Sequence, residues 1–271
     1  MTAPFSWLGQ ADTPEPVTIT ALEFDVLWEH CALDAMPLVL RVPSPGRTDA
    51  ERAALVREAW DGLESRGLGR PVSLDPLLER LLYLLRRPER EIDGRLWLGR
   101  QVRLFCAATG DDAVLATMSG DELTLRPADA TGLPRHALSV LPPAPAGPGQ
   151  SITLRTEDFE AAAHEAADRT KFEAALRSHG VRSADAGHLV EMIGDVINQG
   201  QFGTATRDRW GRRVRANRVI SFFDTKAGRY LQVRRDAEGV EPWTTISPAD
   251  ARRMLQHLTD LHEEQLPQRD A

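Results

Sequence analysis

The sequence is poor in lysine, in cysteine and in long apolar runs. Of its 271 residues, 33 are basic and 40 are acidic, and only Lys171 and Lys226 are lysines. The net charge of −7 argues against a dedicated nucleic-acid-binding protein, which usually carries a basic excess. The two cysteines, Cys31 and Cys106, are too few for a disulfide framework or a cysteine zinc site. No apolar run approaches the roughly 18 residues of a membrane-spanning helix, so we expect no membrane insertion.

Motifs of the common enzyme classes are also missing. The sequence has no P-loop, no dinucleotide-binding glycine motif, no hydrolase nucleophile elbow and no zinc-protease motif. Its seven histidines are scattered, so no set of metal ligands stands out. We therefore expect a protein that is not an enzyme, with no catalytic, cofactor-binding or metal-ligating residue and no cofactor. A small-molecule enzyme remains an alternative.

A stretch rich in proline and glycine divides the chain near its midpoint. Residues 141–149 contain four prolines and two glycines, and proline fixes φ and lacks a backbone N–H, which predicts an extended linker. Pro-Ala-Asp-Ala occurs at residues 127–130 and again at 248–251, which indicates an internal duplication. The predicted organisation is a flexible leader (1–16), an N-terminal α+β half (17–141), a Pro/Gly-rich linker (142–150), a C-terminal α+β half (151–266) and a polar tail (267–271). The leader lacks the basic start and apolar core of a secretory signal, which favours a cytoplasmic location.

Each half is predicted to contain helices, then an antiparallel strand meander, then a closing helix. Capping boxes at Thr48/Glu51 and Thr170/Glu173 mark two of the helix starts. Short turns rich in glycine and aspartate separate β-prone runs, as in a meander. A further short strand is predicted at 37–42, and a helix-like segment from residue 127 onward. The predicted fold class is α+β, with two pseudo-symmetric halves, rather than an alternating βαβ fold.

Two features of the C-terminal half allow more than one interpretation. The sequence Gly-Gln-Phe-Gly at 200–203 predicts a turn between a helix at 183–197 and a strand at 213–224; a phosphate-binding loop is the alternative. Six arginines between residues 207 and 218 surround Trp210. They predict a solvated strand face or a surface for an acidic protein partner, with nucleic-acid binding as the alternative.

Two segments of the C-terminal half resemble a known family. They are Phe-Phe-Asp-Thr-Lys-Ala-Gly-Arg-Tyr-Leu at 222–231 and Trp-Thr-Thr-Ile-Ser-Pro at 243–248. This strand–turn–strand pattern resembles that of the EspG family, proteins associated with ESX (type VII) secretion in actinobacteria. Lys226 stands where that family often has proline. The helix at 22–33 and the segment Met-Pro-Leu-Val-Leu at 36–40 are similar to the opening of the family. The resemblance extends from about residue 17 to residue 266.

The resemblance implies a non-enzymatic cytosolic chaperone with two similar α+β halves. Family members in mycobacteria bind PE–PPE heterodimers by the helical tip of the PPE protein, so a secreted helical client of a type VII system is the expected partner. A homodimerising interaction module is the alternative. The candidate partner-binding residues are apolar and aromatic side chains of the second meander and the last helix: Phe223, Tyr230, Val233, Trp243, Leu255 and Leu258.

Overall fold

The computed structural model describes residues 15–237 and 240–266. The predicted leader up to residue 14 and the predicted tail at 267–271 lie outside the described residues. The first half contains β1 (Val17–Thr20), α1 (Ala21–His30), α2 (Asp49–Ser65), β2 (Gly69–Arg70), β3 (Ser73–Leu74), α3 (Pro76–Arg86), β4 (Arg90–Leu98), β5 (Gln101–Thr109), β6 (Asp112–Ser119), β7 (Glu122–Asp129) and α4 (Leu133–Leu138). The second half contains β8 (Ile152–Arg155), α5 (Thr156–Glu165), α6 (Arg169–Ser178), α7 (Ser183–Met192), β9 (Val196–Arg207), β10 (Arg213–Arg215), β11 (Ile220–Thr225), β12 (Gly228–Ala237), β13 (Val240–Pro248) and α8 (Ala251–Glu263).

Within the described residues, eleven strands form one antiparallel sheet. Its order is β1-β7-β6-β5-β4-β9-β11-β12-β13-β8, with β10 paired to β9, while β2 and β3 form a separate hairpin. The strand arrangement is the same from either edge of the sheet. A short first strand (β1 or β8) lies beside the last strand of its own meander (β7 or β13), and the other strands of the meander follow in order towards the centre. There β4 and β9 pair along nine residues and join the two halves into one sheet. The predicted α+β fold class is confirmed.

The two halves also agree in register. Thr18 contacts Thr124 through their hydroxyl oxygens at 3.1 Å, and Thr153 contacts Thr245 in the same way at 2.9 Å. Thr124 and Thr245 are 121 residues apart, the same displacement that separates the two Pro-Ala-Asp-Ala sequences. These matched cross-strand pairs support the duplication, while the predicted boundaries of the halves remain predictions.

The apolar core has three parts. Helices α1–α3 pack on β5–β7 around Phe105, and helices α5–α7 pack on the second meander around Phe223 and Tyr230. Helices α4 and α8 pack on the other side of the sheet around Leu104 and Phe222. Phe222 and Phe223 belong to different clusters because successive side chains of a strand point to opposite faces.

Local sequence signals set several helix starts. Thr48 caps α2, with its hydroxyl accepting from the Glu51 N–H and the Glu51 carboxylate accepting in return, as the capping box predicts. The second predicted box is wrong, because Asp168 caps α6 by accepting from the Lys171 N–H at 2.8 Å. A carboxylate two residues earlier therefore replaces the Thr170 hydroxyl as the helix cap.

Four other sequence predictions are also wrong in detail. Residues 37–42 form no strand: the Leu40 N–H donates to the Pro37 carbonyl and closes a turn. The predicted 183–197 helix ends at Met192, and the strand at 213–224 is interrupted between β10 and β11. The segment from residue 127 first completes β7, and α4 begins only at Leu133.

The predicted turn at 200–203 is instead the middle of β9, the innermost strand of the second half. A side chain at Gly200 would lie 2.6 Å from the Leu96 side chain, and one at Gly203 would collide with the Arg215 guanidinium. Both glycines thus permit close approach within a strand rather than a tight turn.

Candidate functional site

The six candidate residues from the sequence occupy two kinds of environment. Phe223, Tyr230, Val233 and Leu258 are buried in the core and offer a partner little or no surface. Trp243 is 42% exposed, and Leu255 is half-buried on α8. Trp243 pairs with Arg235, on the sheet face that carries Val233 and helix α8, away from helices α5–α7.

The two helical layers α1–α3 and α5–α7 lie on the same face of the sheet. The register aligns Phe105 with Asp93 and Gly203 across β5, β4 and β9. It likewise aligns Phe223 with Gln199 across β11 and β9. Because directly paired residues point to the same face, the helices on Phe105 and the helices on Phe223 flank a common surface.

Between these layers, the centre of the sheet is open. Four side chains on this face of β4 and β9 are exposed: Arg95, Trp97, Gln199 and Gln201. Trp97 is 52% exposed although it lies on a central strand. A central strand normally buries such a ring, so an exposed indole at this position marks an unoccupied contact surface.

A groove of about 750 Å³ occupies this region, and we refer to it as the central groove. Its floor consists of the four exposed side chains of β4 and β9, together with Ser221 and Gln232. Its apolar wall comes from the C-terminal layer and the start of β9: Phe159, Ile193 and Val196. Phe223 also borders the groove, with 8% of its surface exposed. The chemistry is that of a docking surface, in which apolar anchors are interspersed with amide donors and acceptors.

Two ion pairs lie on the same face of the sheet, next to the groove. Arg213 donates two hydrogen bonds to Glu91 Oε1, at 2.5 and 2.8 Å, and Arg215 pairs with Asp93. Burial raises the pKa of Glu91, and the Arg213 guanidinium opposes this effect. Hydrogen bonding to Asp93 raises the pKa of Arg215. Arg215 reaches Asp93 by lying over Gly203, which explains why β9 has no side chain there.

The arginines between residues 207 and 218 are mostly engaged within the chain. Besides the two pairs just described, Arg212 pairs with Asp208 and Arg218 with Glu264. Arg209 and Arg212 lie against the ring of Trp210 at 4.1 and 5.0 Å. A surface that already holds its own carboxylates offers few free cations to phosphates, so these contacts favour the solvated strand face.

The sequence stretch behind the family resemblance has a structural role. Asp224 and Arg229 form a buried ion pair, with Arg229 Nε 2.7 Å from one carboxylate oxygen and Nη2 3.0 Å from the other. Arg229 also donates to the Pro142 carbonyl at 2.9 Å, and its backbone N–H donates to the Pro145 carbonyl at 2.8 Å. This turn therefore fastens the linker between the two halves to β12.

The thiol groups of both cysteines have raised pKa values. Burial raises the pKa of the Cys106 thiol far above its usual value, and burial also raises the pKa of Cys31. Among residues 15–237 and 240–266, no three His, Cys, Asp or Glu side chains are grouped closely enough to hold a metal ion. In the same residues, no helix is sufficiently long and apolar to cross a membrane.

Sequence reasoning missed the groove residues because they come from three separate segments. Trp97 lies in the first half, Phe159 lies in α5, and Val196 falls within the helix that the sequence predicts at 183–197. One feature of the sequence points to Trp97. Ile92 and Leu96 face the core, and because successive side chains of a strand alternate between its faces, Trp97 faces the opposite side.

Comparisons with known proteins agree with the fold. A model of the EspG family matches residues 20–260. The Mycobacterium tuberculosis type VII secretion system chaperone EspG5, solved in complex with a PE25–PPE41 dimer, is similar in structure, with a TM-score of 0.71 and 15% sequence identity. The match covers 95% of this chain and 99% of the EspG5 chain. No curated protein matches the sequence. Because the family model spans most of its length, the chain belongs to the EspG family.

Proposed function

We propose that this protein is a chaperone of type VII secretion that binds a helical client in the central groove. The client class is a PE–PPE-type dimer or another helical type VII substrate. The proposal includes a cytoplasmic place of action, since a client must be bound before export. It also assigns the protein a binding role and no catalytic step.

The observation that carries the proposal is the exposed apolar surface in the middle of the sheet. Trp97 is half exposed on the floor, and Val196 is 40% exposed at the wall. Helices on both sides leave this strip open to a partner. An exposed apolar strip with polar neighbours suits the end of a helix or helical hairpin, whose apolar residues it would cover.

Family membership and the similar structure support the class of client. EspG5 was solved with a PE25–PPE41 dimer, and this chain covers nearly the whole of that fold. The groove volume of about 750 Å³ accommodates a few large side chains rather than a whole domain. Binding therefore involves the tip of a client, and the rest of the client projects from the sheet.

Co-expression with a PE–PPE-type pair encoded by the same organism tests the proposal. We expect a complex with one copy of each chain by size-exclusion chromatography with light scattering. Hydrogen exchange should slow in β4 and β9 on complex formation, and not in β1 or β8. Failure to bind any such pair or other helical type VII substrate would contradict the proposal. A protein that is dimeric alone, and whose groove stays exposed when the client is added, would also contradict it and would favour the homodimerising alternative.

A further inference from the structure

A second pocket adjoins the central groove, and we refer to it as the basic pocket. It has a volume of about 380 Å³ and lies between β4 and the segment that precedes α2. Its residues include Met36, Leu38, Phe105, Arg95 and Arg207. Arg95 lines both the basic pocket and the central groove, so the two are neighbours.

The basic pocket carries positive charge on a protein whose net charge is −7. Five arginines and two carboxylates line it. Arg213 and Arg215 pair with the carboxylates of Glu91 and Asp93, and Arg86 pairs with Asp34. In the part of the chain that the structure describes, Arg95 and Arg207 have no carboxylate partner. Arg207 instead donates to the carbonyls of Pro88 and Gly211.

Arg95 has an unfavourable neighbour as well. It lies directly opposite Arg103 in the pairing of β4 with β5, so both guanidinium groups are on one face. Like charges in directly opposed positions destabilise a sheet. Burial lowers the pKa of Arg103, and the charge of Arg95 lowers it further. An anion placed beside Arg95 would relieve this repulsion.

The apolar side of the basic pocket is partly exposed. Leu38 is 73% exposed at the rim, and Met36 beside it is half-buried. Arg103 holds this segment in place by donating to the carbonyls of Val39 and Arg41, at 3.3 and 2.8 Å. The segment thus presents a fixed apolar edge next to a free guanidinium.

We propose that the basic pocket binds an acidic residue of the client, with its carboxylate on Arg95 and a neighbouring apolar side chain on Leu38 and Met36. An arginine fork pairs with a carboxylate through two parallel hydrogen bonds, which gives both strength and orientation. The proposal rests on the proposed function for the source of the acidic segment. It adds a charged contact, away from the apolar wall, that selects among helical clients.

A peptide titration tests the pocket without a client. The probe is the capped tripeptide acetyl-Leu-Glu-Phe-amide, compared with acetyl-Leu-Gln-Phe-amide and followed by NMR of the arginine Nε–H groups and the methionine methyl groups. We expect saturable binding with shifts at Arg95 and Met36, and roughly tenfold weaker binding of the glutamine peptide, the usual size of one good charged contact. Arg95→Gln should cause the same loss. The control Arg57→Gln removes an equal charge from an exposed position on α2 and should change nothing.

Client binding supplies the second measurement. Leu38→Ser alters the rim of the basic pocket without touching the central groove, and it should weaken the client complex. Equal binding of both peptides, no saturable binding of either, or an unaltered client affinity in Leu38→Ser would overturn the proposal. If the client binds while these tests fail, only the basic pocket is rejected. If the glutamate peptide binds as expected but no client does, the proposed function is rejected instead.

Discussion

Arg229 joins two parts of the chain that are 87 residues apart. Its guanidinium bonds both carboxylate oxygens of Asp224 and the Pro142 carbonyl, and it also lies 5.1 Å from the centre of the Phe222 ring. Asn198 donates to the same carboxylate at 3.1 Å. Since a buried charge is costly without partners, removing one member of this pair should destabilise the protein more than removing both.

Asp224→Asn should lower the free energy of unfolding by about 3–5 kcal/mol, because it leaves the Arg229 charge buried without a counter-charge. The double change Asp224→Leu with Arg229→Met should cost less than the sum of the two single changes. Urea unfolding followed by tryptophan fluorescence measures both. As a control, Arg234→Gln breaks an exposed pair with Asp236 and should cost less than about 1 kcal/mol. Additive losses in the double variant would disprove coupling.

His262 makes stability depend on pH. Burial lowers its pKa to about 4, with a further contribution from Arg90, and its Nδ1 is buried without a hydrogen-bond partner in the described residues. Between pH 6.5 and 4 the unfolded chain binds a proton at this histidine and the folded chain does not. The free energy of unfolding should therefore fall as the pH drops through this range, by roughly 3 kcal/mol in total.

Replacing the histidine isolates this contribution. In His262→Phe, unfolding free energies measured from pH 7 to pH 4 should fall less steeply than in the wild type. The matched control His188→Gln removes a histidine at an exposed position, so the comparison isolates the effect of the buried site. Hydrogen bonds from Thr131 and His136 lower the pKa of Asp129 to about 2, but Asp129 is present in both proteins, so the difference between the two slopes reports His262 alone. Identical slopes in His262→Phe and the wild type would contradict the assignment.

At the scale of elements, the interhalf linker is built into the sheet. Ala146 forms a parallel bridge with Arg229, and the Gly147 N–H donates to the Arg229 carbonyl at 3.0 Å. The Tyr230 hydroxyl donates to the Pro148 carbonyl at 3.1 Å. The prolines of the sequence predict an extended linker, whereas its contacts with β12 depend on distant residues that no local pattern reveals.

Gly147→Ala should destabilise the protein by about 1–3 kcal/mol, because a methyl group there would collide with the Tyr230 ring, which is packed in the core. Thermal unfolding with calorimetry is a suitable measurement. The control is Gly187→Ala within α7, where the nearest atom lies 3.8 Å away. That change should stabilise the protein by about 0.5–1 kcal/mol through helix propensity. A stable Gly147→Ala variant would show that the linker is not held as described.

Helices with clear caps and turns between strands are predictable from sequence, because their causes are local. Thr48 and Glu51 start α2, and Asp75 with Pro76 starts α3. The glycines of β9 have no such local cause. Gly200 leaves room for Leu96 and Gly203 leaves room for Arg215, and both of these residues are distant in sequence. Four of the six predicted partner-binding residues proved to be core residues for a related reason: apolar patterning identifies a buried face but not what covers it.

At the scale of the whole molecule, the candidate site lies where the two meanders meet. Each half covers its own meander with helices, and the two innermost strands, β4 and β9, meet between the two layers. The exposed strip is thus a consequence of joining two similar halves through their first meander strands. Neither half alone contains it, because Trp97 comes from one half and Phe159 and Val196 from the other.

The binding of a PE–PPE-type client by two tryptophan variants tests the central claim most directly. Trp97 and Trp243 are exposed to a similar extent, 52% and 42%, but lie on opposite faces of the sheet. Both are therefore replaceable without loss of core packing, and isothermal titration of the co-expressed client with Trp97→Ala and Trp243→Ala compares the two faces. Trp97→Ala should weaken the affinity at least roughly tenfold, as expected for a central aromatic anchor, and Trp243→Ala should not change it. A larger loss in Trp243→Ala, or no loss in Trp97→Ala, would contradict the groove as the client site.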